Sequence, residues 1–325
     1  MEVLQREMSF ESKMENERIF VRISEPAEKS QVKAVLQIVH GMAEHSLLYM
    51  EFADFLASHG YAVAVNDHLG HGKSVSSGGS YGYFGPLGME AVLADLHKLY
   101  EYMREEYPDV PYCMMGHSMG SFLVRRTIQL RSDMFDGLIL SGTGDNNGLA
   151  GKAAVRMAAA GCLLAGQEAH AERLQKMVFG GFNKAVEKPR TEFDWLTRDE
   201  AIVDQYLADA NCGFMCTNGF YHELMQGIQI ANDLQKMQSI RKDLPVYLFS
   251  GDKDPVGGCG DGVQRVYKLF LDAGLEDVTI RLYPGGRHEM LNELNRDMVM
   301  KELLQWVMWQ LEKCPKRQAV TIETI

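Results

Sequence analysis

The sequence predicts an α/β fold: a mostly parallel central sheet flanked by helices, interrupted once by an inserted helical cap. Three observations predict it. Strand-like apolar runs alternate with helix-like periodicity through most of the chain, the pattern of parallel strands joined by crossover helices. The alternation stops between about Thr143 and Met237, where Ala- and Met-rich helical segments, glycines and aromatics replace it. A serine also stands between two glycines where a strand pattern turns abruptly into a helix pattern, at Gly116-His117-Ser118-Met119-Gly120. The expected organisation is a core of residues 1–142 and 238–325, with a cap over 143–237.

Taken in order, Ala34–Val39 has the unbroken apolar pattern of a buried strand. A helix ends near His59-Gly60, where glycine is a natural C-cap, and Ala62–Val65 is the next strand. Pro86 to Tyr107 reads as a long amphipathic helix. Tyr112–Met115 is a strand, and Met119, Phe122, Leu123 and Ile128 fall at helical spacing after the serine turn. Gly137–Leu140 is the last strand before the pattern breaks. Within the cap, Leu149, Ala153, Met157, Ala160 and Leu164 share one helical face. That face is expected to pack on the core, the alternative being an acyl-pocket wall or a lipid contact. Pro245–Ser250 resumes the sheet, Ile280–Tyr283 adds a further strand, and Leu294–Leu311 closes the fold as an amphipathic helix. Pro315–Ile325 is expected to be a loosely held tail.

Composition narrows the function classes. The 325 residues are 46% hydrophobic, ordinary for a chain with a sizeable core, and carry a formal charge of −11. That charge argues against nucleic acid and against electrostatic attachment to acidic membranes. The first residues are polar, with no apolar signal region, and no run approaches the roughly 18 apolar residues of a membrane span. Six cysteines lie scattered, with no C-x-x-C pair. Together these point to a reduced, cytoplasmic setting.

The chemistry is concentrated after strand ends. In a strand–turn–helix elbow the glycines beside the serine admit a strained backbone and close packing that side chains would block. Ser118 is thereby offered as a nucleophile. A serine hydroxyl needs a neutral imidazole to take its proton, and a carboxylate to hold that imidazole in the right tautomer. Leu248–Gly251 runs into a loop with Asp252 and Asp254, and Ile280–Tyr283 runs into a loop with His288. Both aspartates are candidate acids. Negative charge developing on a carbonyl oxygen needs fixed N–H donors. The amide of Met119 is one candidate, and Met42, in the loop after Ala34–Val39, is the other.

Four motifs together carry a resemblance: His40-Gly41-Met42-Ala43-Glu44-His45-Ser46, Asn66-Asp67-His68-Leu69-Gly70-His71-Gly72-Lys73-Ser74, Gly116-His117-Ser118-Met119-Gly120 and Gly251-Asp252-Lys253-Asp254-Pro255-Val256. They resemble the monoacylglycerol lipase and lysophospholipase branch of the α/β-hydrolases, from about Ser9 to Lys313. The resemblance implies the α/β-hydrolase fold, with Asp254 rather than Asp252 as the acid. It also implies that Asp67, His68 and His71 form a structural turn rather than a metal site. His40, just before the oxyanion-loop glycine, is expected to have a structural hydrogen-bonding role rather than a chemical one. Cys259 is expected to be a plain loop cysteine. Substrate contacts are expected from Phe214, Phe220 and Tyr221, and from Glu44 and His45, for which a structural role is the equal alternative to contact with a polar head group. One departure is that Leu48 stands where such lipases carry an arginine that helps hold glycerol. The implied function is hydrolysis of acyl esters (monoacylglycerol, lysophospholipid or other small carboxylic esters) without metal or organic cofactor. Acyl transfer, amide or aminopeptide cleavage on the same residues, and a non-catalytic ligand-binding protein are the alternatives.

Overall fold

The computed structural model describes residues 1–145 and 148–313; the expected tail, Pro315–Ile325, lies outside the described residues. One sheet of 8 strands organises the molecule. Its strands are β1 (Val3–Glu11), β2 (Arg18–Pro26), β3 (Ala34–Val39), β4 (Tyr61–Asn66), β5 (Tyr112–His117), β6 (Gly137–Ser141), β7 (Val246–Gly251) and β8 (Val278–Tyr283). They lie in the order β1-β2-β4-β3-β5-β6-β7-β8. From β4 to β8 all neighbours are parallel, while β1 and β2 add antiparallel pairs at one edge. Every residue of β3, β4, β5, β6 and β7 is buried, which is why those strands read as continuous apolar runs. Strand β1 instead leaves every second or third residue exposed, including Glu7, Ser9 and Glu11, so the edge pair escaped a search for buried runs.

Helices cover both faces. α1 (Met50–Ala57) and α10 (Arg296–Lys313) pack on one, through Phe52, Leu56, Val299, Leu303 and Trp306. α2 (Met89–Glu106), α3 (Met119–Arg131) and α9 (Asp261–Asp272) pack on the other, through Leu96, Leu99, Leu123, Val266 and Phe270. Helix α2 begins at Met89 rather than Pro86, because Gly85 and Gly88 both have positive φ, 78° and 57°, outside the helical region. Between β6 and β7 come α4 (Leu149–Ala165), α5 (Glu172–Phe179), α6 (Glu200–Ala208), α7 (Asn218–Ala231) and α8 (Leu234–Met237), with no strand among the described residues.

Helix α4 corrects one expectation. Leu149 and Leu164 are 86% and 85% exposed, Met157 is 47% exposed, and Ala153 and Ala160 also face solvent. The buried stripe is Gly151, Ala154 and Ala158. Small side chains let α4 lie close against α7, as at Gly161, where an added Cβ would meet Asn218 Oδ1 at 2.7 Å. No helix among the described residues is long and apolar enough to cross a membrane.

The topology places the site. Strand β3 has β4 on one side and β5 on the other, so successive connections leave in opposite directions. Ligands of open parallel sheets bind outside the carboxyl ends of strands at such a switch point. Val39 and Gly116 are register partners across β3 and β5, which brings the His40–His45 loop beside Ser118.

Candidate active site

Ser118 follows β5 directly and has φ 51° and ψ −119°, a backbone region that non-glycine residues rarely occupy and that costs free energy to hold. Its amide donates to Ser141 O at 2.9 Å, and Ser121 N and Oγ both bond to its carbonyl. The flanking glycines have a steric cause. A Cβ on Gly116 would lie 2.4 Å from Gly120 O, and one on Gly120 would lie 2.0 Å from Val39 O. Gly120→Ala is therefore expected to push α3 off β3, costing about 1–3 kcal/mol of stability as an overpacked site and also displacing Ser118. A lowered melting temperature with a larger loss of turnover is the expected pair of readings; a fully active, equally stable variant would contradict this packing.

His288 sits in the loop after β8 and is 2% exposed. Its Nδ1 lies 2.9 Å from Asp254 Oδ1. Asp254, fully buried in the loop after β7, also accepts from Val256 N at 2.9 Å and from Ser250 Oγ at 2.6 Å. The imidazole is further bounded by the rings of His117 and Trp195, with centroids 4.6 and 5.1 Å away. A Cβ on Gly142 would lie 2.8 Å from His288 Cε1. Burial pulls the His288 pKa down, but Asp254, then Glu289 and Glu44, carry it above the ordinary 6.5. Asp252 is placed differently: it accepts from Gly285 N at 2.8 Å and ties the β7 and β8 loops together.

Ser118 and His288 open on one cavity of about 710 Å³, which Met42, Met119, Glu44 and Phe214 also line. Met119 is the first residue of α3, where an amide has no intrahelical acceptor. Ala43, with φ 55°, turns the loop after Met42. Its carbonyl is held by Gly213 N at 2.9 Å and Tyr206 Oη at 3.0 Å. Glu44 accepts from Gly41 N and, at 2.6 Å, from Tyr49 Oη.

Other expected contacts fall elsewhere. His45 does not line the cavity; its Nε2 pairs with Asp209 Oδ2 at 2.9 Å and joins the loop after β3 to the chain beyond α6. Phe220 and Tyr221 are fully buried in α7, away from the cavity surface. Phe220 packs on Phe84, with centroids 4.8 Å apart; Phe220 and Tyr221 both belong to the core-facing stripe of α7 with Leu224, Met225 and Ile228. Asp67 holds Ser46 N and Lys73 N, both at 2.7 Å. Burial depresses His68 to about 3 and His71 to about 4, so both rings are neutral scaffolding near pH 7. His40 accepts from His68 N at 3.0 Å. Cys259 is exposed.

Two features were not visible in the sequence. The cavity wall includes an aromatic cluster, with Phe179, Phe182 and Trp195 in mutual contact at 4.8–5.8 Å. Two groups of donor side chains also converge, within 4.8 Å in each: His45, Asp209 and Cys212; and Glu44, His117 and Glu289. The second group lines the cavity. Glu289 is fixed by its amide to Leu196 O and its Oε2 to Asn292 Nδ2, both at 2.8 Å. Burial, then Glu289, raises the Glu44 carboxyl to about 7, and burial raises Glu289 as well.

Residues 30–295 match the Hydrolase_4 family, described as serine aminopeptidase, S33. The chain belongs to this family. It is an enzyme with the α/β-hydrolase fold, esterase- and lipase-like among its relatives. It is 26% identical to the mouse monoglyceride lipase over 279 residues, 85% of this chain and 82% of that protein. It is 27% identical to a monoacylglycerol lipase of Mycolicibacterium smegmatis over 286 residues, 86% and 89% of the two chains. Among solved structures, a thermostable carboxyl esterase from Bacillus coagulans in complex with glycerol superposes with a TM-score of 0.87 at 29% identity, covering 94% of this α/β-hydrolase and 99% of that chain.

Proposed function

We propose that the protein is a serine carboxylic-ester hydrolase that cleaves acyl esters through an acyl-enzyme on Ser118. One observation carries the reading. Ser118, strained at the elbow, shares its cavity with His288, whose other ring nitrogen is bonded to the buried Asp254. Ser118 Oγ attacks the ester carbonyl while His288 takes its proton, and Asp254 orients the ring and stabilises the imidazolium. The Met42 and Met119 amides hold the oxyanion. The tetrahedral intermediate collapses as His288 returns the proton to the leaving alcohol. Water, activated by His288, then releases the acid and regenerates Ser118.

Residues 143–237 serve as the cap in this proposal. Phe179, Phe182, Trp195, Leu224, Met225 and Ile228 give an apolar wall suited to an acyl chain. The exposed Leu149, Leu163 and Leu164 on α4 suit transient contact with lipid. The names of the mouse and mycobacterial relatives support monoacylglycerols as the first substrates to test. A reduced, cytoplasmic setting is proposed, supported by the free thiols of Cys162, Cys212, Cys216 and Cys259.

A homologous series of esters tests this. Apolar burial at about 0.8 kcal/mol per methylene corresponds to about fourfold in kcat/KM per added carbon. The expected profile rises with acyl length until the cavity is filled, then falls, and the product in water is the free acid. A flat profile, faster transfer to an added alcohol, or faster cleavage of the matched amide would each refute the corresponding part.

A further inference from the structure

We propose that Glu44 and Glu289 are specificity-determining residues that make the alcohol side of the cavity select neutral or ammonium-bearing head groups and reject phosphate-bearing ones. This rests on the ester-hydrolase reading and names the substrate class within it.

The placement is geometric. A single carbon added at Gly41 would lie 2.9 Å from Glu44 Oε1 and 3.1 Å from Ser118 Cβ, so the carboxyl and the nucleophile flank one glycine. Glu289 is the residue after His288, the group that hands its proton to the leaving alcohol. In this proposal the leaving alcohol occupies the side of the cavity where both carboxyls stand, since both line it and both act on the His288 ring. The side chains of Glu44 and Glu289 are 4% and 5% exposed, line the cavity, and lie with His117 in one group of donor atoms within 4.8 Å. Glu44 Oε1 and Glu289 Oε2 are occupied by Gly41, Tyr49 and Asn292.

Among the described residues no Lys or Arg forms an ion pair with Glu44 or Glu289, and none is among the largest influences on their carboxyl pKa values. The loop after Glu44 continues His45-Ser46-Leu47-Leu48, without Lys or Arg. Of the Lys and Arg residues lining the cavity, Arg265 is already neutralised by Asp145 through bonds of 2.7 and 2.8 Å, and Lys176 lies on α5. Two carboxyls this close share a proton near neutrality and are both ionised only above it. In a water-poor pocket one such charge disfavours a phosphate and favours an ammonium ion by tenfold or more.

The test uses one acyl chain on four alcohols: methanol, glycerol, choline and glycerol phosphate. Initial rates are measured at about pH 8, above the Glu44 value of about 7. The full-length protein, Glu289→Gln, and Glu44→Gln combined with Glu289→Gln are compared; glutamine keeps the acceptors for Gly41, Tyr49 and Asn292. The expected wild-type order of kcat/KM is choline and glycerol above glycerol phosphate by at least about tenfold. The choline-to-phosphate ratio, which a common loss in all four rates does not move, should shrink stepwise through the single and double variants. A wild type that prefers glycerol phosphate overturns the proposal. So do ratios that stay fixed while all four rates fall together, since a merely structural pair behaves that way. Should the double variant fail to fold, the wild-type order and the single variant decide. Absence of turnover on all four esters, the methyl ester included, would instead remove the ester-hydrolase reading beneath it.

Discussion

Ser118→Ala is expected to lower ester turnover by about 10⁴- to 10⁶-fold, the scale on which removal of an activated serine acts. Alanine keeps the Cβ, so the backbone at φ 51° carries the same strain in both proteins. The α3 start and the packing of Gly120 on Val39 are untouched. Stability should therefore move by no more than about 0.5 kcal/mol, and thermal melting separates a lost nucleophile from a lost fold. A fluorophosphonate probe should label the wild type at Ser118 and leave the variant unlabelled. Labelling that persists in the variant would place the nucleophile elsewhere.

The parts of this site legible in the sequence are those fixed by local sterics. Gly116 and Gly120 announce the elbow because each has a backbone atom where a Cβ would stand. The positions of Asp254 and His288 could be read because each follows a strand by a few residues, and a parallel sheet gathers such loops at one end. What packs across long separations left no such mark. Phe220 and Tyr221 look like pocket aromatics in the sequence, yet α7 turns them into the core. Trp195, which bounds His288, lies in a segment without periodicity. Helix α4 was read from its large residues, whereas its packing follows the spacing of Gly151, Ala154 and Ala158. Glu289 had one available signal: a carboxylate directly after the candidate base and before the apolar Met290 and Leu291. Its meaning depends on Glu44, 245 positions earlier in the numbering, and only the fold brings the two together.

The two aspartates of the β7 loop should separate cleanly. Asp254→Asn is expected to lower kcat by about 10⁴-fold, because an amide in that place favours the wrong imidazole tautomer and cannot stabilise the imidazolium. Asp252→Asn keeps an oxygen for Gly285 N and should cost less than about tenfold, chiefly through the β7–β8 loop contact. The pH profile adds a second reading. As the proposed general base His288 must be neutral, and its pKa is raised above 6.5, with Asp254 the strongest upward influence against burial. Activity should therefore be lost as pH falls through a wild-type value above 6.5. With the carboxylate gone, burial is less opposed, the ring loses its proton more readily, and the acid limb of the residual activity should move to lower pH. Asp252→Asn should leave the limb where it was, since Asp252 bonds to Gly285 and not to the ring. Measuring kcat/KM against pH for both variants decides between them: a large loss and a shifted limb in Asp252→Asn, with Asp254→Asn near wild type, would transfer the orienting role from Asp254 to Asp252.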